Sequence, residues 1–314
     1  MGFTPTTHIW FNGRLVLWQE ATVHVLAHGL HYGTGVFEGI RSYETPEGTA
    51  VFRLDTHLDR LFQSAAVYEL EMPYSREALA DATLEVVRAN RLGNAYLRPI
   101  AFFDAHTLSL WTKDCPVSVA IAGFPFGAYL SGGPDRGARV TVSPVRKFPS
   151  NAMPASTKAC GQYINSARAV QEAQRRGFDE AILLNQRGEV SEGSGENIFV
   201  VRHGAIATND ADADILMGVT RDTVLALAAD LSIATRIGAL SLEDLMAADE
   251  LFFSGTAAEV TPIREIDGHV VGDGTPGPIT RRIQRAFDDA VHGRRPEYRR
   301  WLSVATQPAT TRSA

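Results

Sequence analysis

The segment FPFGAYLSGGPDRG, residues 124–137, interrupts the periodicity of the chain near its middle. Glycine and proline are concentrated in it, and such segments are more often linkers than helices or strands. We therefore predict a small N-terminal domain over 1–123, an interdomain linker over 124–137 and a larger C-terminal domain over 138–305. The last residues, 306–314, are small and polar, and we predict a disordered tail there.

Short strand-like segments and helical segments follow one another without regular alternation on both sides of this linker. The segments HIWFNGRLV and EATVHVL predict a short hairpin that turns at Asn12-Gly13. Helical periodicity begins at Asp55, which we predict as an N-cap, and again behind Ser75. Further helices are predicted over 162–176, 220–231, 241–248 and 278–291. This irregular order favours an α+β fold over a doubly wound parallel sheet.

The charge balance bears on which partners the chain can bind. It has 30 Lys plus Arg against 36 Asp plus Glu, a formal net charge of −6, so no basic field attracts nucleic acid or anionic lipid. Cys115 and Cys160 form neither a C-x-x-C pair nor a zinc-ligand spacing, so we predict no metal site and a reducing compartment. No apolar run approaches a membrane span, and the N-terminus lacks a secretory signal. We expect a soluble, cytoplasmic protein with small-molecule partners.

Lysine is rare in this chain, because only Lys113, Lys147 and Lys158 occur among the 30 basic residues. Lys158 lies in PASTKACGQYINSARAV, a segment of small and uncharged residues. An amine desolvated among such residues could act as a nucleophile and form a Schiff base, or Lys158 could be an ordinary solvated loop lysine. Tyr163, near the start of a predicted helix, could reach the same place or be a half-buried packing residue.

Two further segments could surround a ligand. In GEVSEGSGENIFVV, Glu192 and Glu196 stand between glycines, either facing a bound ring or as exposed acids of a hairpin turn. In ILMGVTRDTVLALAADL, Gly218 and Thr220 mark a helix start whose N–H groups could bind an anion, although Thr220 could also be a plain N-cap. The small-residue turn at 254–257 offers backbone and hydroxyl donors, or is a simple strand end.

In the first third, the segment HGLHYGTGVFEGIRSY combines glycines with aromatic and basic residues. It is not a dinucleotide fingerprint, because the full glycine spacing and a following helix are missing, and we interpret it as a pocket wall. Arg60, within HLDRL, stands on a predicted helix and could pair with a phosphate or be a surface arginine.

Taken together, these segments resemble the fold-type IV pyridoxal-phosphate enzymes, and most closely the branched-chain amino-acid aminotransferases. The likeness runs in family order from about residue 8 to residue 287 through HYGTGVFEGIRSY, VFRLDTHLDRL, AYLRPI, GFPFGAYL, TKACGQYINS, GEVSEGSGENIF, GVTRD and SGTAAEVTPI. The resemblance implies pyridoxal 5′-phosphate as the cofactor. It also implies a two-domain α+β architecture, with a small N-terminal α/β domain and a larger cofactor-binding domain built on a mixed, barrel-like sheet with helices.

Position by position, the resemblance implies roles for individual residues. Lys158 would be the Schiff-base lysine, Glu192 the partner of the pyridine nitrogen and Tyr163 a hydrogen-bond partner of the phenolic oxygen. The phosphate would be held by Arg60, the amides of Val219 and Thr220, and Thr256. The substrate would be bound by the amides of Thr256 and Ala257, by a side-chain pocket of Tyr32, Phe37, Tyr96 and Tyr129, and by Arg41 and Arg98 for a second carboxylate.

The activity implied is transfer of the amino group of leucine, isoleucine or valine to 2-oxoglutarate in a ping-pong cycle, by a homodimer or higher homo-oligomer with shared active sites. Met217, Gln162 and Phe126 depart from the usual family residues proline, asparagine and tryptophan, which bears on the preferred amino donor. The alternatives within the fold are a D-amino-acid aminotransferase, an (R)-amine transaminase and an aminodeoxychorismate lyase. Outside it stand a cofactor-free Schiff-base aldolase or lyase using Lys158, and a catalytically silent relative.

Overall fold

The computed structural model describes residues 3–127 and 133–305 of the chain, which separate into two compact units. Among the described residues, unit 1 comprises 3–127, 159–161 and 289–305, and unit 2 comprises 133–158 and 162–288. These units differ from the predicted domains chiefly at 289–305, which belong to unit 1, and the predicted boundaries themselves stay a prediction. Tyr129 and the predicted tail over 306–314 lie outside the described residues.

Unit 1 contains an antiparallel sheet flanked by helices. Its strands are β1 His8–Phe11, β2 Arg14–Leu17, β3 Gly35–Phe37, β4 Ile40–Thr45, β5 Gly48–Phe52, β6 Ala95–Phe103, β7 Val117–Pro125 and, from the C-terminal end, β17 Leu302–Val304. Its α-helices are α1 His28–Tyr32, α2 Leu54–Val67 and α3 Arg76–Ala89, and short 3₁₀ turns cover Trp18–Glu20 and Pro296–Trp301. The strand order is β17-β5-β4-β6-β7-β1-β2, with β3 also paired to β6.

The turn chemistry of the first hairpin is confirmed, but its second strand differs from the prediction. Asn12 and Gly13 have φ of 46° and 95°, the left-handed conformation that a two-residue hairpin turn needs. The hairpin joins β1 to β2, and the segment 20–26 is not a strand. Ser75 is the N-cap of α3, since its side chain accepts a hydrogen bond from the Ala78 amide at 3.2 Å.

The predicted N-cap at Asp55 is wrong. Helix α2 begins at Leu54, and its N-cap is Arg53 in a left-handed conformation with φ of 53°. Asp55 instead lies in the first turn, where a carboxylate favours the positive end of the helix dipole. The helix faces the core as its periodicity predicts, because Leu58 and Leu61 are fully buried against Leu97 of the sheet.

Unit 2 contains a mixed sheet of short strands with helices. Its strands are β8 Ala138–Val142, β9 Glu180–Leu184, β10 Val190–Gly193, β11 Asn197–Arg202, β12 Ala205–Thr208, β13 Thr235–Ile237, β14 Glu250–Gly255, β15 Glu259–Ile266 and β16 His269–Val270. Its helices are α4 Gly133–Arg136, α5 Tyr163–Arg175, α6 Val219–Asp230, α7 Leu242–Met246 and α8 Pro278–Val291, of which the last three residues fall in unit 1. Short 3₁₀ turns cover Cys160–Gln162 and Ala211–Ala213.

The strand order in unit 2 is β10-β9-β8-β15-β14-β11-β12-β13, with β16 beside β15. The pairs β8/β9, β8/β15 and β12/β13 are parallel and the others antiparallel. Helices that accompany sheets without regular alternation confirm the predicted α+β class. None of the helices given above combines the length and the apolar character that crossing a membrane requires.

The register between β11 and β14, neighbouring strands inside the unit 2 sheet, fixes which of their residues lie opposite each other. Phe199 pairs with Phe252, and their fully buried rings stack with centroids 4.9 Å apart. The same register places Asn197, the first residue of β11, directly opposite Ser254 near the end of β14. Opposed residues of an antiparallel pair direct their side chains to the same face, so Asn197 and Ser254 share one face at this end of the strand pair.

Candidate functional site

Lys158, the predicted reactive amine, and Tyr163, its predicted neighbour, meet in unit 2. The Lys158 Nζ atom donates a hydrogen bond to the Tyr163 hydroxyl at 2.6 Å and lies 5.0 Å from the centre of its ring. Lys158 is half-buried in its loop, and its role as the reactive amine stays a prediction. Tyr163 is the first residue of α5, which fixes its position relative to the loop that carries Lys158.

Gln162 holds the loop that precedes Lys158. Its buried side-chain amide donates to the Pro154 carbonyl at 2.8 Å and to the Thr157 hydroxyl at 2.9 Å. The Thr157 hydroxyl in turn donates to the Pro154 carbonyl at 2.7 Å. Gln162, which stands where the family usually has asparagine, therefore orders the turn that leads into Lys158.

Glu192 is a buried acid that accepts hydrogen bonds from three donors within residues 3–127 and 133–305. Its Oε1 accepts a hydrogen bond from Lys147 Nζ at 2.5 Å, and its Oε2 accepts one from the Leu216 amide at 3.0 Å and one from Asn197 Nδ2 at 3.3 Å. Glu192 and Lys147 are each 7% exposed. Buried charges are stable when they are paired and hydrogen-bonded, and this carboxylate meets both conditions. The alternative of an exposed turn acid is wrong for Glu192.

Glu196, the second acid of the same segment, lies near other carboxyl groups. Burial and the neighbouring Glu180 carboxyl raise the pKa of Glu196 well above its usual range, with the Lys158 ammonium acting in the opposite direction. Burial likewise raises the pKa of Glu180 to about 7, although hydrogen bonds from Ala181 and Ser194 oppose it. Burial therefore favours the protonated form of Glu196. Of the two acids, Glu192 is the one that is paired with Lys147.

The first turn of α6 lies next to Glu192 through Asn197. Gly218 is the N-cap, so the alternative of Thr220 as a plain N-cap is wrong, and Val219 and Thr220 are the first two helical residues, each 5% exposed. A Cβ atom at Gly218 would overlap Asn197 Oδ1, and Asn197 Nδ2 also donates to the Leu216 carbonyl at 2.8 Å. The first amides of a helix have no partner within it and carry the positive end of its dipole.

The turn between β14 and β15 carries the remaining predicted unit 2 residues. Thr256 and Ala257 are half-buried in this turn. Ser254 Oγ, on the face shared with Asn197, is buried and has no hydrogen-bond partner among residues 3–127 and 133–305. A buried hydroxyl without a partner among these residues fits a polar ligand; the first amides of α6 fit the phosphate of pyridoxal phosphate, and the Glu192 carboxylate fits its ring N–H.

Arg60 lies in unit 1 as part of a buried ion-pair cluster. Its Nε and Nη2 donate to the two oxygens of Glu38 at 2.7 and 2.9 Å, and His57 Nδ1 lies 2.7 Å from Oε2. Burial alone would raise the pKa of Glu38, but Arg60 and His57 hold it well below its usual range. The Arg60 side chain is 11% exposed, so it is not a surface arginine, and its role toward a phosphate stays a prediction.

The predicted substrate residues of unit 1 form an aromatic and cationic cluster. The Arg98 guanidinium stands 4.7 Å from the Phe37 ring centre and 5.2 Å from that of Tyr96. Arg41 stands 5.4 Å from the ring centre of Phe126, which in turn lies 5.0 Å from that of Tyr96. Phe126, which stands where the family usually has tryptophan, thus packs against one of the two predicted arginines, Arg41, and one of the predicted aromatic residues, Tyr96.

Tyr32 has different surroundings from this cluster. Its hydroxyl donates to the Leu108 carbonyl at 2.9 Å, and its ring centre lies 4.6 Å from that of His28. Its role in a side-chain pocket stays a prediction, as does that of Tyr129, which lies outside the described residues.

Sequence reasoning missed three residues of these clusters. The rarity of lysine is the sequence signal for Lys147. Asn197 lies in GEVSEGSGENIFVV and Glu38 in HGLHYGTGVFEGIRSY, and neither stands out there from the residues around it. All three act through hydrogen bonds or ion pairs to predicted residues.

Comparison with known proteins identifies the family. The family described as Amino-transferase class IV matches residues 35–266. A branched-chain-amino-acid aminotransferase of Pseudomonas aeruginosa is 45% identical over 297 residues, which cover 94% of this chain and 96% of the relative. One from Escherichia coli K12 is 42% identical over 302 residues, covering 96% and 98%. The chain belongs to the class IV aminotransferase family, as predicted.

Solved structures agree in fold. The branched-chain amino acid aminotransferase of Escherichia coli matches with a TM-score of 0.94 and 42% identity, covering 96% of this chain and 100% of that one. The T.th. branched-chain amino acid aminotransferase, complexed with N-(5′-phosphopyridoxyl)-L-glutamate, matches with a TM-score of 0.92 and 44% identity, covering 96% and 99%. The predicted fold-type IV architecture is confirmed.

Proposed function

We propose that this aminotransferase uses pyridoxal 5′-phosphate to move the amino group of L-leucine, L-isoleucine and L-valine to 2-oxoglutarate in a ping-pong cycle. Relatives that are 42 to 45% identical over almost their whole length confirm the transaminase class and the branched-chain donors. Solved relatives with phosphopyridoxyl and pyridoxamine phosphate ligands support the cofactor. The T.th. enzyme has been solved with pyridoxamine 5′-phosphate and with 4-methylvaleric acid, a branched acid. The acceptor and the residue roles below are our proposal.

The Glu192 carboxylate is the observation that carries the assignment of the cofactor-binding residues. Bound pyridoxal phosphate supplies an electron sink whose strength depends on a proton at the ring nitrogen. The buried Glu192 carboxyl pairs with Lys147 and can accept a hydrogen bond from such a ring N–H, whereas burial raises the pKa of Glu196 well above its usual range. The amides of Val219 and Thr220 begin the adjacent helix, which supports a phosphate site there. Thr256 and Arg60 complete the proposed phosphate set.

Lys158 is the proposed covalent anchor and proton carrier. Its Nζ is oriented by the Tyr163 hydroxyl at 2.6 Å, which in our proposal also faces the phenolic oxygen of the cofactor. The neutral amine can take a proton from the substrate α-carbon and return it, which is a general acid–base step. Arginine could not replace it, because a guanidinium stays charged and is a poor nucleophile.

The substrate roles rest on the resemblance and on the packing of the described residues. We assign the α-carboxylate to the amides of Thr256 and Ala257. The rings of Phe37 and Tyr96, with Tyr32 and Tyr129, would contact the branched side chain, and Arg41 and Arg98 would accept the second carboxylate of glutamate. Arg98 packs against both Phe37 and Tyr96, so one cluster offers apolar faces and a cation, as dual recognition requires.

Assembly and location complete the proposal. We place the enzyme in the cytoplasm as a homodimer or larger homo-oligomer with active sites shared between subunits, because the family resemblance implies both. Size-exclusion chromatography with light scattering measures the oligomer directly, and a monomer at micromolar concentration would contradict this part.

Half-reactions of the purified holoenzyme test the substrate proposal. We expect a visible absorbance band that L-leucine shifts faster than D-alanine or (R)-1-phenylethylamine does, and a borohydride adduct on Lys158. Lys158→Ala should lose both the band and the adduct. A faster reaction with D-alanine would favour a D-amino-acid aminotransferase, and no band after incubation with pyridoxal phosphate would favour a cofactor-free lyase.

A further inference from the structure

The ion pair between Lys147 and Glu192 is built into the interior of unit 2. Each residue is 7% exposed and their charged atoms are 2.5 Å apart. The Lys147 backbone is fixed on both sides, because its amide donates to the Leu184 carbonyl at 2.9 Å and its carbonyl accepts from Gln186 Nε2 at 2.7 Å. Its ammonium also lies 4.7 Å from the Phe148 ring centre. The position of the cation is therefore set by the fold.

In the part of the chain that the structure describes, three groups donate to Glu192, which leaves room for one more donor. A carboxylate offers about four lone-pair directions, and Lys147, Asn197 and the Leu216 amide occupy three of them. Asn197 and the Leu216 amide are neutral, so among these three donors Lys147 is the one that brings a positive charge to the buried carboxylate. Removing a single partner from a buried ion pair leaves an uncompensated charge, which is far more costly than removing both.

Building on the role proposed for Glu192, we infer that Lys147 is a positioning residue for cofactor binding. Its ammonium pairs with Oε1 of Glu192 and orients the carboxylate, so that the remaining lone pair is presented to the N–H of a protonated pyridine nitrogen. Lys147 touches neither the substrate nor the reacting atoms in this arrangement and acts only through Glu192. Two of the three lysines of the chain thereby serve one ligand, Lys158 as the covalent anchor and Lys147 behind the acid.

Pyridoxal phosphate titration of the cofactor-free full-length protein tests this inference. Lys147→Gln should weaken the affinity about tenfold or more, because a buried charged acceptor loses its partner, and should change the visible band in the direction that Glu192→Gln does. Lys147→Arg retains the charge and should bind within about threefold of the parent. Lys113→Met is the matched control, since Lys113 is exposed, and should bind like the parent.

A double variant separates positioning from general stabilisation. In the Glu192→Gln background, Lys147→Gln should have little further effect on cofactor affinity, because Lys147 acts through Glu192. Equal effects of Lys147→Gln in both backgrounds, or parent-like affinity in the single variant, would overturn the inference. If Glu192→Gln itself leaves affinity and band unchanged, the proposed role of Glu192 fails instead. Circular dichroism shows whether each variant folds. Among the folded variants, the difference in cofactor affinity between Lys147→Arg and Lys147→Gln decides the test.

Discussion

The side chain of Asn197 occupies the space that a side chain at position 218 would need. Asn197 Oδ1 lies where it would overlap a Cβ atom at Gly218, and its Nδ2 donates to Glu192 and to the Leu216 carbonyl. One amide thus connects a buried carboxylate to the start of helix α6. The absence of a side chain at the N-cap is what lets the amide stay there.

Gly218→Ala should therefore destabilise the protein and weaken cofactor binding. The added methyl group forces Asn197 away from its partners, and overpacking of this kind costs about 1–3 kcal/mol. Thermal unfolding of the cofactor-free protein and pyridoxal phosphate titration measure the two effects. Gly195→Ala is the matched control, because its Cβ meets nothing within 4 Å. Similar behaviour of the two variants would show that the contact has no consequence.

Arg60→Met should be among the more damaging substitutions in unit 1. It leaves the fully buried Glu38 carboxylate without its bidentate partner, and breaking a buried pair costs about 3–5 kcal/mol. Arg76→Met removes a guanidinium that pairs with the exposed Asp59, and such a surface pair is worth about 1 kcal/mol or less. Urea unfolding measures the free energy of unfolding that each of the two variants loses. Adding Glu38→Gln to Arg60→Met should recover part of the loss, and no recovery would mean that the charge was not the cause.

The pH dependence of stability should reflect Glu180. Its pKa in the folded protein is raised from 4.5 to about 7, so the native state binds more protons than the unfolded state between these values. The free energy of unfolding that this group contributes is therefore present below pH 4.5 and is lost as the pH rises to about 7. Glu180→Gln should flatten the decline between about pH 5 and about pH 8, measured by urea unfolding at each pH. The exposed Glu71 provides a control, since Glu71→Gln should leave the profile unchanged.

Arg98→Met should separate the two substrates of the proposed cycle. If Arg98 accepts the second carboxylate of glutamate, the KM for 2-oxoglutarate should rise about tenfold or more, because a charged hydrogen bond is lost. The half-reaction with L-leucine should stay within about threefold, since methionine keeps an apolar contact with Phe37 and Tyr96. Stopped-flow half-reactions with each substrate measure this. Equal losses for both substrates would indicate that Arg98 only packs against the rings.

Elements that depend on local chemistry were predictable from the sequence. Helix α8 has the predicted bounds 278–291, and the Ser75 cap and the Asn12-Gly13 turn follow from residues within a few positions. The predicted strand over 20–26 failed because a strand needs a hydrogen-bonded neighbour, which its own residues do not reveal.

Ion pairs between distant positions were not predictable in the same way. Lys147 and Glu192 are 45 residues apart, and Arg60 and Glu38 are 22 apart, so only the fold brings the partners together. The sequence motifs identified Glu192, Lys158 and Tyr163 by resemblance. The motifs did not reveal the raised pKa of Glu180 and Glu196, because it depends on burial and on neighbours from other strands.

The contact between Asn197 and Gly218 has an evolutionary consequence. A larger residue at 218 can be accommodated only if the side chain at 197 is shorter. A shorter side chain at 197 no longer donates to the carboxylate at 192, which then loses one hydrogen bond. These three positions therefore cannot change one at a time without loss. Among related sequences we expect them to vary together or not at all.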